Sequence, residues 1–216
     1  MNLKSLSPDD TTVVLVDFAV GFANIIRSHD LREHITNITG LAKTAKLYGS
    51  GLVVTNGESS RPSGPLYPEV IEVVGEDATV VRTSTSSFNS FLDPAFAEAV
   101  RAQNRKRLVI AGIATDGCVL QTVLGALREG YEVYLVVDAV ASPSKEAHDV
   151  AIQRMVMSGV VPITWWSLAA EFQLDPKFAD TPYRGELMAQ FQPAMMMAGR
   201  TFFAGAKEAT RQPANA

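Results

Sequence analysis

The chain has 216 residues, of which 47% are hydrophobic, and this is enough to bury one sizeable core in a single main domain. A formal net charge of −4 argues against a nucleic-acid-binding protein, because phosphate recognition needs a basic surface. No apolar run approaches the roughly 18 residues of a membrane-spanning helix, and the N-terminal stretch lacks the apolar segment of a signal peptide.

Strand and helix patterns alternate along the chain. The first β-branched run, Thr11–Phe18, predicts a strand buried on both faces, and an apolar stripe predicts a helix over 30–48. In chain order, the later predicted strands are Leu52–Asn56, Thr79–Thr83, Arg107–Gly112, Tyr131–Ala139 and Val160–Trp165, and the later predicted helices are Asp93–Asn104, Val119–Glu129, Ser142–Gly159 and Ser167–Gln173.

This alternation predicts an α/β fold in three layers, with a parallel sheet of six strands between two layers of helices. The alternating part spans 1–174, and a C-terminal extension over 175–216 breaks the alternation. An apolar extension with no strand to follow is expected to pack on a neighbouring subunit, so we predict a homo-oligomer. Its apolar residues are Met188, Met195, Met196, Met197, Phe202 and Phe203.

Three reactive side chains fall at or just after the ends of predicted strands. Asp17 ends the first strand, Arg82 ends the third, and Cys118 follows the fourth. Ligands of open parallel sheets bind at the carboxyl ends of the strands, where the strand order reverses. Each residue also has a plain structural interpretation: Asp17 as a turn cap, Arg82 as a surface charge, and Cys118 as a small core residue.

Taken together, the three residues indicate nucleophilic catalysis. Cys118 stands at a predicted helix start, where the positive end of the helix dipole is expected to lower the pKa of its thiol. Asp17 is suited to take the thiol proton, and Arg82 to hold the resulting negative charge. Backbone N–H groups of the intervening turn are suited to form an oxyanion hole. The pattern therefore predicts acyl transfer through a thioester on Cys118.

The motifs resemble those of the isochorismatase-like cysteine hydrolase superfamily. The resemblance covers Thr11 to about Gln173 and rests on "VVLVDFAVGF", "GIATDGCV" and "YEVYLVVDAVAS" with the following His148. Within the superfamily, "GPLYPE" at 64–69 is similar to a subgroup of bacterial hydrolases with unassigned substrates.

The resemblance implies the strand order 3-2-1-4-5-6 and a triad of Asp, Lys and Cys at the positions of Asp17, Arg82 and Cys118. It also implies a cis peptide before Ala114, with the amides of Ala114 and Cys118 forming the oxyanion hole. Members hydrolyse amides such as nicotinamide or carbamoyl compounds.

Two departures from the family pattern shape the functional hypothesis. Arginine stands where the family has lysine, and because arginine stays protonated, we expect Asp17 alone to transfer the proton and Arg82 to act as an electrostatic stabiliser. The stretch "TNGESSRPSG" at 55–64 has no histidine, and Glu58 alone cannot make a metal site. We therefore predict no catalytic zinc and no other cofactor.

Several other residues are candidates for substrate contact, and each has a structural alternative. Phe18 equally suits the core, and Asn89 equally suits a turn. The three histidines His29, His34 and His148 lack metal-ligand spacing and are expected at the surface or in caps, whereas Trp165 is expected at a pocket rim and Trp166 in an interface or the core. The full set of predicted substrate contacts is Phe18, Phe22, Glu58, Phe88, Asn89, Ile113 and Thr115.

The sequence therefore predicts a cofactor-free cysteine hydrolase that acts on a small amide or related acyl compound. A single cysteine cannot form an internal disulfide, which favours a reducing, cytoplasmic location. Two alternatives remain open: a non-catalytic protein that binds a small molecule on the same scaffold, and a redox-sensing thiol protein. A dinucleotide-binding dehydrogenase is disfavoured, because no G-x-G-x-x-G pattern follows the first strand.

Overall fold

The computed structural model describes residues 5–55, 63–75, 79–81 and 87–209. Its centre is a six-stranded sheet in the order β3-β2-β1-β4-β5-β6, in which all neighbouring strands are parallel. The predicted strand order and direction are confirmed. The strands are β1 (Thr11–Val16), β2 (Gly51–Thr55), β3 (Thr79–Val81), β4 (Arg107–Ile113), β5 (Glu132–Ala141) and β6 (Val161–Ile163).

Helices cover both faces of the sheet, which confirms the three-layer arrangement. α2 packs against α3 and α7 on one face, whereas α5 packs against α6 on the other. Within the described residues, no helix combines the length and apolar character needed to cross a membrane. The helices are α1 (Val20–Ala23), α2 (Leu31–Tyr48), α3 (Pro68–Val74), α4 (Pro94–Ala102), α5 (Leu120–Arg128), α6 (Lys145–Met157), α7 (Trp165–Gln173), α8 (Tyr183–Phe191) and α9 (Pro193–Ala209).

The strand order reverses between β1 and β4. From β1 the chain continues outward through β2 to β3, and from β4 it continues in the opposite direction through β5 to β6. Right-handed crossovers then place α2 and α3 on one face and α5 and α6 on the other, so that the segments after β1 and β4 diverge. This divergence leaves a crevice at the carboxyl ends of the two central strands.

Gly112 allows the two central strands to approach closely at this edge. It pairs with Val16 in the β1–β4 register. A Cβ atom at Gly112 would collide with the carbonyl oxygen of Val16 and would lie 3.0 Å from a methyl group of Val119. The absence of a side chain at Gly112 therefore brings the end of β1 against the turn that follows β4.

The position of Trp165 contradicts the prediction that this residue lies at a pocket rim. It begins α7 and is only 1% exposed, so it is a core residue and not part of a pocket rim. Its ring Nε1 donates a hydrogen bond to the side-chain oxygen of Asn37 on α2. Trp166 is partly buried and packs against the core, in line with one of its two predicted alternatives. A strand was expected to continue to Trp165, but Thr164 caps the helix instead.

The C-terminal extension divides into two parts. Its first part folds onto its own chain: α8 contacts α2 and α7, Leu187 is fully buried, and Phe191 lies against the Trp165 ring. The expectation that the whole of 175–216 packs on a neighbour is therefore wrong for the segment through α8. In contrast, α9 leaves Phe202 and Phe203 exposed.

Replacing Gly112 with alanine should destabilise the protein. The new methyl group meets the rigid backbone at Val16, so we expect the free energy of unfolding to fall by about 1–3 kcal/mol or more. Urea denaturation followed by circular dichroism measures this change. Gly185→Ala is the matched control, because nothing lies within 4 Å of a Cβ atom at that position of α8. Equal stability of Gly112→Ala and the wild type would contradict the packing described for this edge.

Candidate functional site

Asp17 directly follows β1, in a backbone conformation that few residues adopt. Its φ angle is 55°, in the left-handed region that aspartate tolerates better than most side chains. Thr55, the fully buried last residue of β2, holds it from the side. The Asp17 N–H donates to the Thr55 hydroxyl oxygen over 2.8 Å, and that hydroxyl donates to the Asp17 carboxylate over 2.7 Å. The carboxylate is therefore fixed in direction by the neighbouring strand.

Cys118 lies in a wide helical turn, Thr115–Val119, which joins β4 to α5. Its partly buried thiol is hydrogen-bonded to the Asp17 carboxylate. The sequence placed these two groups at the ends of separate strands, and the structure brings them together at the reversal point of the sheet. Arg82, the third group of the predicted triad, lies outside the described residues.

Two backbone amides point toward the sulfur. The N–H groups of Cys118 and Ala114 interact with the thiol and act to lower its pKa. The peptide between Ile113 and Ala114 is cis, which confirms the expectation drawn from the family resemblance. The Ala114 carbonyl oxygen accepts the N–H groups of Gly117 and Val119, at 3.0 and 3.1 Å. The turn thus directs two N–H donors toward one point beside the sulfur.

The pKa of the Cys118 thiol changes in the direction opposite to the one the sequence predicted. The pKa rises to about 12, chiefly because of burial, with further contributions from the charge of Asp17 and the hydrogen bond to Asp17, which the two amides only partly offset. The expected lowering by the helix start is wrong because desolvation and a neighbouring carboxylate outweigh the amide dipoles. In the free protein at neutral pH, this sulfur is a protonated thiol beside a carboxylate.

The predicted substrate contacts fall into different places. Phe18 is fully buried and packs against the rings of Tyr67 and His34, so its core alternative is the correct one. Ile113 and Thr115 are also fully buried. They flank Ala114 and support the turn from inside, and for this reason direct substrate contact is not expected of them.

The remaining predicted contacts lie near the surface or outside the described residues. Phe88 is 64% exposed, and its ring lies 4.0 Å from the point that a Cβ atom on Gly117 would occupy, next to the turn. Asn89 caps a short helical turn by accepting the N–H of Phe91, so its turn-forming alternative is confirmed. Phe22 is partly buried against the core. Glu58 lies outside the described residues.

Sequence patterns named Thr115 only as a substrate contact and His148 only as part of the family resemblance, and they did not reveal the polar contacts that hold the site from behind. The Thr115 hydroxyl lies 3.0 Å from Nδ1 of His148, and the Ser142 hydroxyl donates to Asp116 over 2.6 Å. Together with Thr55, these residues stand at the carboxyl end of a strand or in the segment that follows it. The strand-end rule that selected Asp17 could have selected Thr55 and Ser142, but hydroxyl groups gave no chemical signal on their own.

Two of the three histidines, His34 and His148, are buried and are not the surface or capping groups that the sequence predicted, whereas His29 is half-buried. His34 is fully buried, His148 is 6% exposed, and the His29 ring lies between them with centroid distances of 6.3 and 4.7 Å. Burial lowers the pKa of His34 to about 3 and that of His148 to about 4. Neither ring nitrogen of His34 has a hydrogen-bond partner in the described part of the chain. That part also contains no cluster of three or more His, Cys, Asp or Glu residues arranged to hold a metal ion.

Comparison with known proteins identifies the relatives of this chain. A family model described as "Isochorismatase domain" matches residues 11–167. A solved YcaC from Pseudomonas aeruginosa, described with hexane-2,5-diol and covalent acrylamide, is 29% identical with a TM-score of 0.86, covering 94% of this chain and 98% of that one. YcaC from Escherichia coli, described as an octameric hydrolase of unknown specificity, has 26% identity, a TM-score of 0.87 and the same coverage of both chains.

A eukaryotic relative also matches most of the chain. The secreted isochorismatase effector Isc1 of Phytophthora sojae is 31% identical over 159 residues, which are 73% of this chain and 74% of that protein. The similarity therefore extends over the whole sheet, and with the YcaC structures it reaches into the C-terminal extension.

The buried neutral state of His34 predicts acid sensitivity. Its pKa falls from 6.5 in the unfolded chain to about 3 in the folded protein, so the unfolded state binds the extra proton first. The stability contributed by the neutral ring is complete above pH 6.5 and is lost as the pH falls toward 3. At about pH 5, protonation of His34 in the unfolded chain should lower the unfolding free energy of the wild type by about 2 kcal/mol, and His34→Phe should not suffer this loss.

Urea denaturation of both proteins at about pH 8 and about pH 5 tests this expectation. The difference in unfolding free energy between the two pH values should be smaller in His34→Phe than in the wild type, because phenylalanine binds no proton. An identical difference in both proteins would show that His34 does not titrate with the lowered pKa described here.

Proposed function

The chain belongs to the isochorismatase family of hydrolases, and on that premise we propose that it is a cofactor-free cysteine hydrolase of a small amide or related acyl compound. One observation carries the proposal. The Cys118 thiol is hydrogen-bonded to the Asp17 carboxylate while two amide N–H groups face the same sulfur. A nucleophile, a base and an oxyanion hole are thus within reach of one another.

In the first half of the proposed reaction, Sγ of Cys118 attacks the carbonyl carbon of the substrate. The thiol proton moves to the Asp17 carboxylate as the S–C bond forms, because a thiol with a pKa of about 12 is not ionised beforehand. The carbonyl oxygen becomes an oxyanion that accepts hydrogen bonds from the N–H groups of Ala114 and Cys118. The C–N bond then breaks, and the leaving amine takes the proton from Asp17.

In the second half, water hydrolyses the thioester. Asp17 takes a proton from the water as its oxygen attacks the thioester carbon, and the same two amides stabilise the second oxyanion. The C–S bond breaks, and the sulfur recovers its proton from Asp17. Overall, one amide and one water give an acid and an amine, and no oxidant or cofactor takes part. In this scheme Arg82 is the electrostatic stabiliser, a role assigned from its sequence position.

The site geometry favours catalysis over both alternatives. A protein that only binds a ligand has no need for a carboxylate that a buried threonine holds against a partly buried thiol. A redox sensor needs a low thiol pKa, because the thiolate is the form that peroxides oxidise, whereas the pKa of Cys118 is raised. The covalent acrylamide described for the Pseudomonas aeruginosa relative supports a reactive nucleophile in this family. A reduced Cys118 also fits work in a reducing compartment such as the cytoplasm.

Asp17→Asn should have opposite effects on two reactions of the same sulfur. Hydrolysis should fall by about a hundredfold or more, because asparagine cannot accept the thiol proton. Alkylation by iodoacetamide at mildly alkaline pH should become faster, because the carboxylate that raises the pKa of Cys118 is gone. Ammonia release from a panel of small primary amides, including nicotinamide and carbamoyl compounds, measures the first reaction, and mass spectrometry measures the second.

Cys118→Ala is the control for both measurements. It should lose hydrolysis and take up neither iodoacetamide nor acrylamide, since Cys118 is the only cysteine in the chain. Full hydrolysis by Asp17→Asn would remove Asp17 from the mechanism. A wild-type protein that turns over no amide and leaves Cys118 unmodified by acrylamide would contradict the proposed function.

We further propose that α9 packs against a second copy of this chain. Its exposed apolar side chains, Met197, Phe202 and Phe203, are 68 to 71% exposed. Exposed apolar residues gathered on one helix are typical of an interface. The Escherichia coli relative, described as octameric, aligns over 94% of this chain, a share that extends beyond the sheet and α7.

Replacing both Phe202 and Phe203 with serine should reduce the assembly. The double variant loses two large apolar side chains from the proposed interface, so size-exclusion chromatography with light scattering should give a smaller mass than for the wild type. Met157→Ser is the matched control, because Met157 is 81% exposed on α6, away from α9. An unchanged mass in the double variant, or a monomeric wild type, would contradict this proposal.

A further inference from the structure

The turn that carries Cys118 is held from behind by two side-chain hydrogen bonds. Thr115 is fully buried, and its hydroxyl lies 3.0 Å from Nδ1 of His148, which projects from α6. The next residue, Asp116, accepts the Ser142 hydroxyl over 2.6 Å at the end of β5. Two consecutive residues of the turn are therefore tied to two different parts of the fold.

Thr115 is placed so that its hydrogen bond affects the direction of two backbone amides of the site. It lies between Ala114 and Cys118, whose N–H groups both face the sulfur. On the far side, Gly117 has non-helical dihedral angles of −112° and −108° and carries no side chain, so the turn is held there by backbone hydrogen bonds to the Ala114 carbonyl oxygen. A rotation about the backbone at Thr115 would therefore tilt one amide relative to the other.

His148 is itself held in a buried polar layer. Its ring packs edge-on against the His29 ring, with 4.7 Å between the centroids. His29 Nδ1 lies 3.0 Å from the Ser28 hydroxyl, which accepts the N–H of Ser142 over 2.9 Å. The anchor on Thr115 and the anchor on Asp116 are thus joined through residues 28–29.

The protonation state of His148 suits such a role. Burial and, to a lesser extent, the neighbouring His29 lower its pKa to about 4, so the ring is neutral at physiological pH. A neutral ring can pair with a hydroxyl group without placing a positive charge behind the nucleophile. His148 thereby anchors the turn and leaves proton transfer to Asp17.

We propose that Thr115 and His148 are positioning residues, whose buried hydrogen bond keeps the N–H groups of Ala114 and Cys118 directed at the sulfur and at the oxyanion. This inference rests on the proposed function, which makes Cys118 the nucleophile. It assigns to His148 a role that its sequence pattern did not reveal, since it acts on the reaction through Thr115 and touches no reacting atom.

The test measures the rate of Cys118 alkylation by iodoacetamide as a function of pH in four variants. Thr115→Val keeps the shape of the side chain and removes the hydroxyl, and His148→Phe removes the partner. Each should slow alkylation below the thiol pKa by about tenfold, because the amides that lower this pKa are displaced. Thr115→Ser, which restores the hydroxyl, should stay within about twofold of the wild type. Thr44→Val, the control, removes another fully buried hydroxyl that bonds only within α2 and should also leave the rate unchanged.

A double variant, Thr115→Val with His148→Phe, separates this hydrogen bond from general damage to the fold. If the two residues act through one contact, the double variant should be no slower than the slower single variant. Losses that multiply in the double variant, or a folded Thr115→Val protein that reacts at the wild-type rate, would overturn the inference. If Thr115→Val does not fold, the comparison of His148→Phe with the wild type decides instead. Slower alkylation of His148→Phe supports the inference, and alkylation at the wild-type rate overturns it.

The wild type separates a failure of this inference from a failure of the proposed function. Wild-type hydrolysis that is lost in Cys118→Ala supports the proposed function whatever the Thr115 variants do. Unchanged alkylation in the Thr115 and His148 variants of such an active enzyme would overturn only the positioning role.

Discussion

The contact between the Cys118 thiol and the Asp17 carboxylate is the interaction on which the proposed chemistry depends. The two residues are separated by most of the first half of the chain and meet because β1 and β4 are neighbours at the point where the strand order reverses. Gly112 lets the strands close at this edge, and Thr55 on the other neighbour of β1 fixes the direction of the carboxylate. The sheet topology thus creates the pair, and local packing gives it a fixed geometry.

Burial of this pair determines how the chemistry can start. A thiol with a pKa of about 12 carries its proton in the free protein, so in the proposed reaction the thiolate forms only as the proton passes to Asp17 during attack. In that reaction the amides of Ala114 and Cys118 stabilise mainly the oxyanion, where negative charge develops, and stabilise the resting sulfur only weakly. In the proposed reaction, the raised pKa keeps the free sulfur un-ionised at neutral pH, and the sulfur becomes reactive when a carbonyl group occupies the oxyanion hole.

The sequence predicted those parts of the structure that follow from periodicity and strand ends. Alternating strand and helix patterns led to the sheet, and the end-of-strand rule led to Asp17 and Cys118. Burial was harder to predict, because it depends on what packs opposite a residue. His34 and Trp165 lie on the inner faces of their helices, and the pKa of Cys118 responds to desolvation that no local pattern encodes. The hydroxyl groups of Thr55 and Thr115 matter only through partners on other elements, so their role became visible only with the fold.

The central claim is that Cys118 keeps its proton beside the Asp17 carboxylate in the free protein. A measurement of the ionisation of Cys118 in the wild type tests this claim most directly. Cysteine labelled at Cβ gives a single nuclear magnetic resonance signal in this chain, because Cys118 is the only cysteine, and its chemical shift reports the loss of the thiol proton. We expect the signal to remain that of a thiol at pH 9.0, where an ordinary cysteine is half ionised. A thiolate signal already at neutral pH would contradict this expectation, since the sulfur would then not share its proton with a neighbouring carboxylate.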